Sequence, residues 1–467
     1  MRVLEGGSIS TQTARSGQGG KLEIQAESVE VDGSDFANGD IQQSQIEAGT
    51  MGAGNAQNLS IRGAKRVAVT NGGRISSGTS TPDAESGEAR GGEIIIESQV
   101  VEVSGTTPDP LPALSSSINA EPSGLGEGGS VEITADNIRV NNGGEITTNA
   151  SGAGNAGEIR LTVTGDKTLL VSGEQRGRAS CISAGTTGDG RAGNILVDAT
   201  GNVILEDNAE ISVSSTGSGD PGNIELSAQN LTLNDSRISA VSSSGRDANI
   251  QLAIADLLLM ENGSAITAEA QNNGDGGNID IRADFIIGVP ANANQIQANA
   301  FEGGGGNISI STRGIIGITP TASSELGVDG KVEISSPEVD PSQAVVRLAD
   351  DPISTEVMQA CSPGGQTVAQ SEFVYTGRSG LPPSPTEIVT QGGPTVGWAT
   401  GSEATTQTAV KEYEAMPEGT PSLVEAKTWR HTADGQIQLV AVAPVATSSV
   451  DCMIQADADG EESYEAD

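Results

Sequence analysis

The sequence predicts an all-β chain: a parallel β-helix, or β-solenoid, of about eleven coils over residues 1–337, then a small irregular region that contains β-structure. Three observations predict it. First, an apolar residue recurs just after a glycine seam, at Leu22, Leu59, Ile94, Val131, Ile159, Ile195, Ile224, Ile250, Ile279, Ile308 and Val332. The ten spacings are 37, 35, 37, 28, 36, 29, 26, 29, 29 and 24 residues, a period that marks a repeat array. Second, apolar and polar residues alternate with period two. "NIEL" puts Ile224 and Leu226 on one face and Glu225 on the other, and "LTL" and "RISAV" follow in the same unit. That is the strand period, not the 3.6-residue period of a helix. Third, hydrophobic residues make up 35% of the 467 and aromatic ones 2%, against 63 glycines. The core must therefore be narrow and filled by Ile, Leu, Val and Ala.

Each unit holds three strand-like pieces. Gly, Asn, Asp and Ser stand between them, the residues that tolerate the left-handed backbone of sharp corners. An antiparallel sandwich would also show short strands, but not this spacing. The first residues, "RVLEGGSISTQTARSGQGG", read as the second half of a unit. The chain is thus expected to start inside a longer polypeptide, with any export signal lost upstream. The longer units carry inserted loops, Ser76–Gly92, Thr106–Gly128 and Ser172–Gly190, which are the expected binding surfaces. Asparagine precedes the anchor in five consecutive units, at Asn194, Asn223, Asn249, Asn278 and Asn307. Stacked amides can hydrogen-bond along such a column. Asparagine is also simply a good turn residue.

The repeat stops near Glu338. Residues 338–390 read as a Pro-rich cap or linker containing "RSGLPPSPTE". Residues 391–467 hold both tryptophans and two of the three tyrosines, with the third at Tyr375. "KTWRHTADGQIQLVAVAP" predicts a β-hairpin, with Trp429 in one strand and Ile437 and Leu439 in the other. An acidic tail ends the chain. The three cysteines form no CxxC pair. Cys361 and Cys452 flank the C-terminal region and are a candidate disulfide if the chain is exported; Cys181 is then left over as a small buried residue.

The formal charge of −38 disfavours nucleic acid and anionic membrane, whose binding relies on clustered Lys and Arg. No segment is long and apolar enough to span a bilayer. The residues also argue against catalysis. The outward slot between the first two inward residues runs Glu23, Ser60, Ile95, Glu132, Arg160, Leu196, Glu225, Gln251, Asp280, Ser309 and Glu333, with no two neighbouring carboxylates. The body up to Pro337 has no histidine and only three aromatic residues, Phe36, Phe285 and Phe301, of which Phe285 is expected to fill the core. The closest approach to a calcium repeat, "GGGGNIS", lacks the aspartate. No catalytic, cofactor or metal residue is therefore assigned.

Units such as "AGNIxL" and "GGNIxI", with seams such as "LEGGSISTQT" and "VTNGGRISSGTS", resemble cyanobacterial filamentous-haemagglutinin-type proteins. The tail adds to this: "CSPGG…SEFVYTGRSGLPPSPTE", then "DGQIQLVA" and a late cysteine. The resemblance covers nearly the whole chain. It implies a right-handed β-helical shaft, export by two-partner secretion through an outer-membrane transporter, and adhesion or aggregation at the cell surface. Partners would then be glycans or proteins of a cell surface or extracellular matrix. The family's N-terminal secretion domain is not in this sequence. Two alternatives remain: a secreted β-helical enzyme acting on polysaccharides, and a non-catalytic tail of a larger exoprotein.

Overall fold

A computed structural model describes residues 1–13, 17–37, 40–51, 54–80, 89–123, 126–243, 248–336, 428–431 and 437–440. The chain divides into two units. The first holds every strand up to Ser335, and the second spans Asp340–Ala446. Within the second, Thr428–His431 and Ile437–Val440 pair antiparallel, with Trp429 opposite Leu439. Cys361, Cys452, the Pro-rich segment and the acidic tail lie outside the described residues.

The first unit is all-β and parallel-stacked, a β-solenoid-like architecture with two principal sheets of fifteen and ten strands. Alternation in the sequence sets the register. All eleven anchors are successive Cα partners, from Leu22 opposite Leu59 through to Ile308 opposite Val332. Nine of them, Leu59 to Ile308, are buried. The ten-stranded sheet carries one isoleucine per rung: Ile9, Ile46, Ile75, Ile118, Ile146, Ile182, Ile211, Ile238, Ile266 and Ile296 stack in order. All but Ile9 are wholly buried. Each such side chain contributes about 1.5–3 kcal/mol by leaving water.

The first two strand pieces of a unit are mostly one continuous strand, not two. Ile224–Asn234 runs through, with Ile224, Leu226, Leu231 and Leu233 inward and a register shift at Ala228–Asn230 marking the bend. A break occurs in some units, as between Ile195–Ala199 and Asn202–Glu206. Another falls where Gly165 (φ 68°) separates Ile159–Val163 from Thr168–Ser172.

Two positions explain the glycines and asparagines. At the seam, a Cβ on Gly193 would overlap the carbonyl oxygen of Gly157, and one on Gly222 that of Gly193, so adjacent rungs can approach only without side chains. At the corner after the long strand the backbone is left-handed, occupied by Asn71, Asn142, Asp207, Asp235 and Asn262 or by Gly33, Gly105 and Gly173. These residues also donate N–H groups to the next rung, as Asn71 does to Ser104 O and Gly105 to Asn141 O.

Candidate functional site

The left-handed corner alternates in kind. Where it is Glu5, Asn71 or Asn142 the chain turns tightly, followed by Gly-Gly. Where it is Gly33, Gly105 or Gly173 the chain leaves the solenoid and returns at a serine. Each excursion is closed by the same clamp. Ser44, Ser116 and Ser180 donate their N–H to Gly33 O (3.0 Å), Gly105 O (2.8 Å) and Gly173 O (3.0 Å). Their hydroxyls donate to Asp32 O, Ser104 O and Ser172 O, each at 2.7 Å. They accept from Gly6, Gly72 and Gly143 N–H of the tight corners, at 3.1, 2.9 and 3.0 Å. Tight and extended corners thus form a two-rung repeat.

The predicted loops are corrected by this geometry. Thr106–Gly128 and Ser172–Gly190 are too long, because Ser117–Asn119 and Cys181–Ser183 are inner strands carrying Ile118 and Ile182. The alternating pattern is only three residues there, too short to stand out from the surrounding Ser and Gly. The excursions proper are residues 106–115 and 174–179. Of Ser76–Gly92, the described part includes Thr79–Ser80, paired with Pro122–Ser123. A third excursion was not foreseen: Ser34–Ala37 pairs antiparallel with Asp40–Gln43 and carries Phe36, 58% exposed. The excursions at 106–115 and 174–179 grip each other across the tight corner between them. Arg176 donates to Thr107 O (2.6 Å) and Leu111 O (2.7 Å) and pairs with Asp109 (2.6 Å), while Gln175 Oε1 accepts from Thr106 N–H (2.8 Å).

The outer face of the ten-stranded sheet is polar. A cleft of about 430 Å³ opens on it. One outward column, which carries Glu121 and Asn149 on later rungs, has glycine at Gly49 and Gly78, and Gly78 lines the cleft. Gly78 is obligatory: a Cβ there would overlap Glu121 O. Arg74 and Glu47 stand on one side, and Thr50, Met51 and Pro122 on the other. Glu121 accepts from Thr147 Oγ1 (2.6 Å), and Glu47 from Gln12 Nε2 (3.2 Å). On the next rung Glu145 accepts from Ser115 Oγ (2.5 Å). Burial raises the pKa of both Glu121 and Glu145. Hydrogen bonds and the nearby arginines, Arg74 and Arg178, oppose it, and for Glu145 the neighbouring Glu121 adds to it. A second cleft of about 250 Å³ lies farther along the same face, lined by Glu210, Arg237, Thr267 and Glu269 among others. Burial raises the Glu269 pKa against the pull of Arg237.

The asparagine column hydrogen-bonds from rung to rung. Asn194 Oδ1 accepts from Asn223 N–H (2.9 Å) and Asn223 Oδ1 from Asn249 Nδ2 (3.1 Å). Asn249 Oδ1 accepts from Asn278 Nδ2 (2.8 Å), and Asn278 Oδ1 from Asn307 Nδ2 (3.0 Å). The outward slot from Glu23 to Glu333 also stacks residue on residue. Cys181 is buried on the short-strand sheet. Phe285 does not fill the core. It is 46% exposed because its strand places it on the outward side of the bend, with Ile286 inward. Among the described residues no three His, Cys, Asp or Glu are grouped to hold a metal, and no helix is long and apolar enough to cross a membrane.

Comparison with family models gives no match, and neither curated proteins nor solved structures provide a relative for the chain.

Proposed function

We propose that this chain is a secreted or cell-surface display protein: a right-handed parallel β-helix of about eleven coils that holds loops outward for adhesion or aggregation. One observation supports it above the others. Three excursions leave the same corner on alternate rungs behind the same Gly–Ser clamp, and two are locked together by Arg176. A repeated, rigid presentation of loops suits many weak contacts acting together. The filamentous-haemagglutinin resemblance points the same way and adds an outer-membrane transporter as export partner.

The reading is tested on cells that make the chain. Antibody should label intact cells, and deleting the gene should reduce aggregation and attachment. Replacing residues 106–115 and 174–179 by tight Asn-Gly corners should reduce attachment while leaving the chain folded. Unchanged attachment in both strains would overturn it.

A catalytic reading has one observation in its favour. Glu47, Glu121 and Glu145 share a face with Arg74, a grouping that the outward slot of the long-strand sheet lacks. Polysaccharide hydrolysis uses paired carboxyl groups, one of them kept protonated. Release of new reducing ends from a glycan by the purified chain, lost on Glu121→Gln, would support this reading.

A further inference from the structure

We propose that the cleft lined by Arg74, Gly78 and Glu121 binds a short stretch of a neutral, hydroxyl-rich sugar chain. The proposal stands apart from both readings above, since it requires neither export nor bond cleavage.

The cleft is a built feature of the stack. Two successive rungs, at Gly49 and Gly78, lack a side chain in this column, with Gln12 on one side of the gap and Glu121 on the other. Three rung steps separate those two residues, about 14 Å at the spacing of paired strands. Ser76 stands in sequence between the lining residues Arg74 and Gly78 without itself lining the cleft. It is 1% exposed, and its hydroxyl has no hydrogen-bond partner among the described residues.

The lining decides the ligand's chemistry. An anionic chain would meet Glu47 and Glu121 in a molecule whose charge is already −38. A cation would meet the Arg74 guanidinium, and both carboxylates already accept hydrogen bonds from Gln12 and Thr147. An apolar ligand would find only Met51 and Pro122. What remains is a ligand whose groups each donate and accept. Sugar hydroxyls do so, and they match carboxylate acceptors, guanidinium and amide donors, and the hydroxyls of Thr50 and Ser151. No aromatic side chain lines the cleft to stack on a sugar ring, so single-site binding is weak. The second cleft on the same face, with Arg237 and Glu269, offers a longer chain a second hold.

The test is calorimetric titration of the whole chain with cellohexaose, maltohexaose and mannohexaose, with spermine and polygalacturonate as ionic probes. At least one neutral hexasaccharide should bind. Arg74→Ala and Glu121→Ala should each weaken it five-fold or more, with an unchanged circular dichroism spectrum. Arg160→Ala, which removes an exposed guanidinium from the other sheet, should leave binding as it was. Three results would overturn the proposal: no neutral oligosaccharide binds, an ionic probe binds instead, or Arg74→Ala and Glu121→Ala bind as the wild type does.

Discussion

From Leu22 to Ile195 the anchors stand 28–37 residues apart, and the chain leaves the stack three times; from Ile195 to Val332 they stand 24–29 apart, and asparagine precedes five anchors running from Ile195. The interior does not register this difference. Both halves continue the same isoleucine column and the same anchor column. Inward positions are fixed by register with the rung on either side, so any change there is felt by two neighbours. Corner positions are fixed only by backbone geometry, and a Gly–Ser clamp meets that requirement whatever lies between. The halves therefore differ where the constraint is local.

The largest expected effect is on the shared interior. Ile118→Ala, between two excursions, and Ile238→Ala, in the plain half, should each cost about 2–5 kcal/mol. Their denaturant midpoints should fall by similar amounts, since both side chains are wholly buried on the same column. A clearly smaller loss at Ile118 would show that the decorated half is packed differently.

The run of five asparagines belongs to the second half, whereas the first half has Asn58, bonded to Glu93, at the equivalent place, and this sharpens the contrast. Asn249→Ala removes an acceptor for the Asn278 amide and a donor to Asn223, a loss of about 1–3 kcal/mol. Ser130, which precedes the anchor Val131 in the first half, is half-buried, and Ser130→Ala should change thermal stability much less. Equal losses would mean that the amides stack without stabilising the rungs.

The clamps belong to the first half. Ser116→Ala deletes the bonds to Ser104 O and from Gly72 N–H, about 1 kcal/mol in a local unit. Hydrogen exchange should accelerate in residues 106–115 and stay unchanged in Ile224–Asn234. Uniform acceleration would show that the clamp supports the whole stack.

Much of this was legible in the sequence, and the reason is periodicity. The anchors, the inward alternation and the register follow from a spacing that can be counted. The Ser34–Gln43 hairpin carried a signal that the count passed over, the Asn38–Gly39 dipeptide. The face with Glu47, Glu121 and Glu145 was not legible. Its residues sit on three-residue strands such as Glu145–Thr147, and Glu121 lies beyond the end of its strand. Only the stacking of rungs brings them to one surface. Phe285 was misplaced because a bend inside a continuous strand changes which residues face inward, and alternation alone does not locate the bend.

The smallest effect compares one carboxylate from each half. Burial raises the pKa of Glu145 and of Glu269 above the ordinary 4.5. In that case the unfolded chain releases its proton at a lower pH than the folded one, so stability falls as pH climbs from about 4.5 through the raised value and then levels off. Glu145→Gln and Glu269→Gln should therefore raise the melting temperature at pH 7 and leave it nearly unchanged at pH 4. Glu225→Gln separates this from a general loss of negative charge, because Glu225 is exposed on the long-strand sheet. A gain at Glu145 and Glu269 that is matched at Glu225 would assign the effect to the overall charge of −38 and not to burial. At both sites burial is the larger cause, opposed by an arginine, Arg178 at Glu145 and Arg237 at Glu269, so a gain at pH 7 that is absent at pH 4 assigns the effect to the buried carboxyl itself.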